Sequence, residues 1–166
     1  MKKVMTVALA AILSICIAVP VLASPDTVDL IADGGDPATA FDAGDITVTY
    51  DGTYLDIVFT TTGSWEMMET HLYVGEDCPT KSAPGRFPYK HEGLGGITSD
   101  PYDDILLPEG VGPGDTICIA AQAAIENPDE IDPETGLPRE ESAWAEGDPI
   151  RPNKNWAMCF KYTIPE

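Results

Sequence analysis

Positive charge is what this 166-residue sequence has least of: nine Lys and Arg stand against 28 Asp and Glu, a net charge of −19. A field of that sign repels phosphate backbones and anionic lipid, so nucleic acid and membrane surfaces are not expected partners. Histidine is scarce as well, with only His71 and His91. No serine or cysteine sits in a recognisable nucleophile motif, which removes the usual basis for nucleophilic hydrolysis and makes an enzyme the less favoured reading. No Asn-x-Ser/Thr acceptor is present, so ordinary N-glycosylation is not indicated. Internal repeats are absent, and helical periodicity is nearly so; Ala120 to Glu126 is rich in alanine, but its β-branched neighbours favour strand.

What is present begins with an N-terminal leader. Lys2 and Lys3 precede an apolar run from Val4 to Val19, Pro20 closes the run, and Val21-Leu22-Ala23 supplies the residues a signal peptidase reads. The run is short of the ~20 residues a bilayer span needs. The expectation is a cleavable signal peptide over residues 1–23, a single domain over 24–166, and a secreted or cell-surface location without membrane insertion after cleavage. Loss of Lys2 and Lys3 takes two positive charges from −19 and leaves −21. Only Pro165 and Glu166 follow the last apolar run, so no C-terminal membrane helix is expected.

Strand signals dominate the domain. Asp45 to Tyr50 and Tyr54 to Thr60 alternate apolar with polar residues around Asp51-Gly52, the strongest hairpin signature in the chain, with Leu55, Ile57 and Phe59 as a core row. Glu69 to Val74 places Thr70, Leu72 and Val74 on one face. Thr116 to Ile125 aligns Ile117, Ile119, Ala121, Ala123 and Ile125, and Asn155 to Ile164 aligns Trp156, Met158, Phe160, Tyr162 and Ile164. Weaker strands read at Val28 to Ala32 and Ile105 to Leu107. The expected architecture is all-β: one antiparallel β-sandwich of about six to eight strands. Two segments, Gly75 to Pro101 and Glu126 to Lys154, are rich in Pro, Gly and acidic residues and read as long irregular loops, where function tends to reside.

Four residue sets are candidates for chemistry. Cys118 and Cys159 both fall out of register with their strands' apolar rows, so a Cys118–Cys159 disulfide is the first expectation and pairing of Cys78 the alternative; three cysteines remain after the leader, so one is left over. Glu69 and His71 share a strand face ~7 Å apart, a spacing suited to a shared cation or to a plain hydrogen bond. The Asp-rich turns Asp33 to Asp36, Asp42 to Asp45, Asp100 to Asp104 and Asp129 to Glu134 offer hard oxygen ligands to calcium, the cofactor the acidic composition suits best, though none has the spacing of the twelve-residue calcium loop. Trp65 and Trp144 would form a stacking platform for a sugar if exposed, and would anchor core or loop if not.

The segments Leu30-Ile-Ala32, Gly44-Asp-Ile-Thr-Val48, Asp51-Gly-Thr-Tyr-Leu55, Glu69-Thr-His-Leu72, Pro84-Gly-Arg-Phe-Pro-Tyr89, Ile119-Ala-Ala-Gln-Ala123, Ser142-Ala-Trp144 and Asn155-Trp-Ala157 together resemble a poorly characterised family of secreted bacterial and archaeal β-rich domains. The resemblance spans nearly the whole domain and implies secretion and a β fold, with no established activity. That family's pattern carries histidine where this chain has Gln122, and Glu-Thr-Ala-Trp where it has Glu141-Ser-Ala-Trp144. A cation-binding reading would therefore draw its ligands from Glu69, His71, Gln122 and Glu141. The resulting expectation is a secreted or cell-surface acidic domain with a non-catalytic structural, adhesive or binding role toward a surface protein or polysaccharide. The alternatives are a calcium- or carbohydrate-binding module and, third, a secreted hydrolase.

Overall fold

The computed structural model describes residues 26–166; the expected signal peptide over 1–23 lies outside the described residues. Ten strands form: β1 (Asp26–Ala32), β2 (Phe41–Tyr50), β3 (Tyr54–Thr61), β4 (Glu66–Gly75), β5 (Tyr89–Ile97), β6 (Ser99–Leu106), β7 (Thr116–Ile131), β8 (Pro138–Ala145), β9 (Asp148–Pro149) and β10 (Met158–Thr163). One 3-10 turn, Pro84–Arg86, is the sole helical element among the described residues. Every pairing is antiparallel, in the order β5-β4-β7-β8-β1-β2-β3-β6, with β10 pairing the start of β7 and carrying β9. The all-β expectation holds.

The layering differs from two stacked sheets. Strands β5 and β6 are the two ends of the eight-strand path, yet Thr98 alone separates them in sequence. At ~4.8 Å per strand a flat sheet would hold its ends ~34 Å apart, while two residue steps of chain reach ~7 Å. The sheet must therefore curl until its ends meet, and it does so as a nearly closed barrel around one interior. Register shifts between Asp29 and Ile31, Leu55 and Ile57, and Met67 and Glu69 supply bends. Gly44 supplies another: at φ 152° its position leaves no room for a Cβ, which would collide with the Thr60 carbonyl on β3.

Alternation fills that interior. Leu55, Ile57 and Phe59 from β3, Ile46 and Val48 from β2, Leu72 from β4, Ile117, Ile119 and Ile125 from β7, and Tyr162 from β10 form one buried cluster. In the β2–β3 hairpin the Asp51 carboxylate accepts the amide N–H groups of Thr53 and Tyr54, and Gly52 takes the positive φ of 99°. Those two hydrogen bonds hold the Asp51 carboxyl below its ordinary range.

A second, smaller cluster lies on the outer face of β4, β7 and β8: Phe87, Cys118, Ala120, Trp144, Ala157 and Cys159. The chain between β4 and β5 contributes Phe87, and the chain between β8 and β10 contributes Ala157, to a cover over that face. This explains why Ile117 to Ala123 is buried without a break: a strand covered on both faces has no solvent side to mark with polar residues. It also corrects the predicted core row of the last strand, since Trp156 and Met158 pack on the outer cluster while Phe160, Tyr162 and Ile164 face the interior. The two segments read as irregular loops contain β5 and β8.

The predicted bridge is corrected too. The disulfide joins Cys78 to Cys118, across a sequence separation of 40, and among the described residues Cys159 is a free, buried cysteine. Strand parity placed Cys118 and Cys159 on the same non-interior side, where both lie; Cys78 arrives from the covering loop and takes Cys118. By the chain-entropy argument the bridge is worth ~4 kcal/mol.

Candidate functional site

Where β5 and β6 meet, the seam is closed by the buried side chains of Thr70, Asp100 and Tyr102 and the partly exposed His91. Thr70 on β4 points into the interior and donates its hydroxyl proton to Asp100 on β6, and the Tyr102 hydroxyl, 2.8 Å from that of Thr70, donates to the Thr70 carbonyl oxygen at 3.1 Å. His91 on β5 donates from Nδ1 to the same Asp100 carboxylate at 3.0 Å, and its ring stacks on Tyr102 with centroids 4.3 Å apart. A carboxylate acceptor fixes the proton on Nδ1. Burial pushes the Tyr102 hydroxyl up to about 12; the Asp100 charge adds to the rise, and the Thr70 hydrogen bond opposes it. No hydroxyl or thiol nucleophile is hydrogen-bonded to His91 among the described residues. The arrangement is a clasp: it joins β4, β5 and β6 across the gap that backbone pairing leaves.

The predicted cation set does not assemble. His71 Nδ1 lies 2.8 Å from Gln122 Oε1, and Gln122 in turn donates to Ser142 at 3.1 Å, a hydrogen-bonded row across β4, β7 and β8. Glu141 pairs in register with Ile125, an interior residue, one position off the outer row, and its carboxylate accepts from Arg139 at 2.9 and 3.0 Å. Among the described residues, Glu69, His71 and Glu141 do not bring ligand atoms within 4.8 Å of one another; the three cysteines do. The turn aspartates are occupied as well. Asp36, Asp42 and Asp132 each accept backbone N–H groups of their own turns through Oδ1.

Neither predicted stacking tryptophan offers a platform. Trp144 is buried against Phe87, edge to face. Trp65 is buried in a stack with Phe41, and the Arg139 guanidinium lies over both rings at 5.3 and 5.5 Å. Both are anchors, of loop and barrel end respectively.

A feature that sequence reading missed lies on the outer face beside the His71 row. Glu66 on β4 pairs directly with Glu126 on β7, and Glu126 pairs directly with Glu140 on β8. Three glutamates thus hold paired backbone positions across three adjacent strands, with Glu69 one outward position further along β4; the Glu66 carboxylate itself leans over Gly96 of β5, away from β7. Like charges directly opposite destabilise a sheet. None of the four is in an ion pair among the described residues; the basic side chains that are paired, Lys90 and Arg139, engage Glu92, Glu130 and Glu141. Glu69, Glu126, Glu140 and Glu141, with Met68, Ala124, Ile125 and Ser142, line an open groove of about 550 Å³. The register that makes the row could not be read from sequence, because Glu126 and Glu140 fell in a segment without strand periodicity. Compared with known proteins, the chain matches no family model, no curated protein and no solved structure.

Proposed function

We propose that this is an exported, non-catalytic binding module whose outer β4–β7–β8 face receives a cationic partner, a basic protein surface or peptide. The observation that carries the reading is the Glu66–Glu126–Glu140 row. A sheet that sets three uncompensated glutamates in register loses stability in the free protein, and a partner supplying cations restores it. The partner is an extended basic surface rather than a single calcium ion, because calcium takes six to eight oxygens at ~2.3–2.6 Å and the groove's carboxylates do not converge. Export is supported by the disulfide, which suits an oxidising compartment, and by the leader-like N-terminus. The non-catalytic reading is supported by the engagement of both histidines in structural hydrogen bonds.

The test is a calorimetric titration of the mature chain with a lysine-rich peptide and, separately, with calcium chloride. Saturable peptide binding that is abolished by about 0.5 M salt supports the reading. Calcium binding without peptide binding transfers the face to a metal role, and hydrolytic activity of the purified chain overturns the non-catalytic reading.

A further inference from the structure

Cys78, Cys118 and Cys159 bring their sulfurs within 4.8 Å of one another, so the Cys159 thiol sits against the Cys78–Cys118 disulfide. Two of the three are sealed: Cys118 is fully buried and Cys159 is 3 % exposed. Cys78 is different. It lines an open groove of about 510 Å³ together with Tyr73, Asp77, Lys81, Arg86 and Phe87. In a chain of net charge −19, this groove sets two cations against one carboxylate.

We propose that this cluster is a thiol–disulfide exchange centre in which Cys78 is the shared sulfur, Cys159 the resolving thiol, and the Lys81/Arg86 groove the entry for a small thiol bearing carboxylates. The external thiolate attacks the Cys78 sulfur, forms a mixed disulfide and breaks the bond to Cys118, which leaves as thiolate and takes up the proton the external thiol gave up. Cys159 then attacks the same Cys78 sulfur as its thiolate, forms Cys78–Cys159 and expels the external thiolate, which recovers the proton from Cys159. One disulfide and one thiol are present at start and end, so no oxidant or reductant is consumed. Either bond ties the loop carrying Cys78 to the outer face, through β7 in one form and β10 in the other, so the fold tolerates both. Burial raises the Cys159 thiol above its ordinary range, with Lys161 opposing the rise and Asp148 adding to it, so the exchange is expected to quicken as pH rises.

The experiment is disulfide mapping by mass spectrometry after incubation of the oxidised chain with glutathione, with acid quench, alkylation and non-reducing digestion. In the native sequence the Cys78–Cys159 peptide pair is expected beside Cys78–Cys118. In Cys159→Ser, with Cys159→Ala as its folding control, no Cys78–Cys159 pair can form, and the fraction of Cys78 held as a glutathione adduct is expected to exceed that of the native chain, Cys118 being the one neighbouring thiol left to resolve it. In Cys118→Ser the Cys78 and Cys159 thiols are expected to join as Cys78–Cys159 when oxidised glutathione is supplied as the two-electron oxidant. Reversing Lys81 and Arg86 to glutamate should lower the adduct yield with glutathione and raise it with the cationic thiol cysteamine. A native chain that retains Cys78–Cys118 alone, with no adduct in either Cys159 variant, overturns the proposal; adducts indifferent to the charge reversal overturn the groove's part in it.

Discussion

Glu126 is paired in register with Glu66 and Glu140, so Glu126→Gln removes the central charge of the row while keeping the side chain's shape. Paired antiparallel Cα atoms lie ~4.5–5.5 Å apart; two unit charges held no farther apart than that would repel by ~0.8 kcal/mol in water, which is the upper bound for each pair. At about 0.01 M salt the Debye length is ~30 Å and most of this survives, at most ~0.6 kcal/mol per pair; at about 1 M it is ~3 Å and little does. The variant is thus expected to be more stable than the native chain by up to ~1 kcal/mol at low salt and by no more than a few tenths at high salt. For a domain of this size the low-salt gain corresponds to at most about 4 °C in Tm. Thermal or urea unfolding of both proteins across the salt range reads the effect. A variant that is less stable, or a difference that salt does not change, would refute the claim that the row is an uncompensated repulsion.

Other outcomes follow from the same contacts. Asp100→Ala takes the shared acceptor from Thr70 and His91 Nδ1; because the Tyr102 hydroxyl stays 2.8 Å from that of Thr70 and His91 is partly exposed, a loss of about 1–3 kcal/mol is expected, with hydrogen exchange rising first in β5 and β6. The folded-state Tyr102 hydroxyl sits at about 12 against an unfolded value of 10.0. Its contribution is therefore fully present below pH ~10 and is lost as pH rises toward 12; Tyr102→Phe should flatten the alkaline limb of a stability–pH profile. Among the described residues the Tyr162 hydroxyl is buried without a hydrogen-bond partner, so Tyr162→Phe should be neutral or stabilising by up to about 1 kcal/mol in denaturant unfolding.

How much of this was legible in the sequence depends on whether the signal was local. The β2–β3 hairpin was readable because Asp51-Gly52 and the flanking alternation are properties of adjacent residues. Parity likewise placed Cys118 and Cys159 on one side, since a strand's faces follow from counting. What failed was whatever depended on which strands become neighbours. Strand β5 carries three glycines and pairs on one edge only, and β8 opens with Pro-Arg-Glu-Glu, so neither shows alternation; pairing with β4 and with β7 makes them strands. The same dependence hid the glutamate row, the Asp100 clasp, which read as an Asp-rich turn, and the arrival of Cys78 at Cys118. Gln122 was picked as a ligand from a resemblance; its side chain instead links His71 to Ser142.

The central claim is that the outer face is built to take a cationic partner, and the most direct test compares unfolding of the native chain with that of the Glu66→Gln/Glu126→Gln/Glu140→Gln variant, each with and without a lysine-rich peptide at fixed ionic strength. A ligand that binds the folded state at a hundred times its Kd adds ~2.7 kcal/mol. The account predicts a rise in Tm for the native chain, and for the variant a higher starting Tm that the peptide does not move. Equal shifts in both proteins, or none in the native chain, would contradict it.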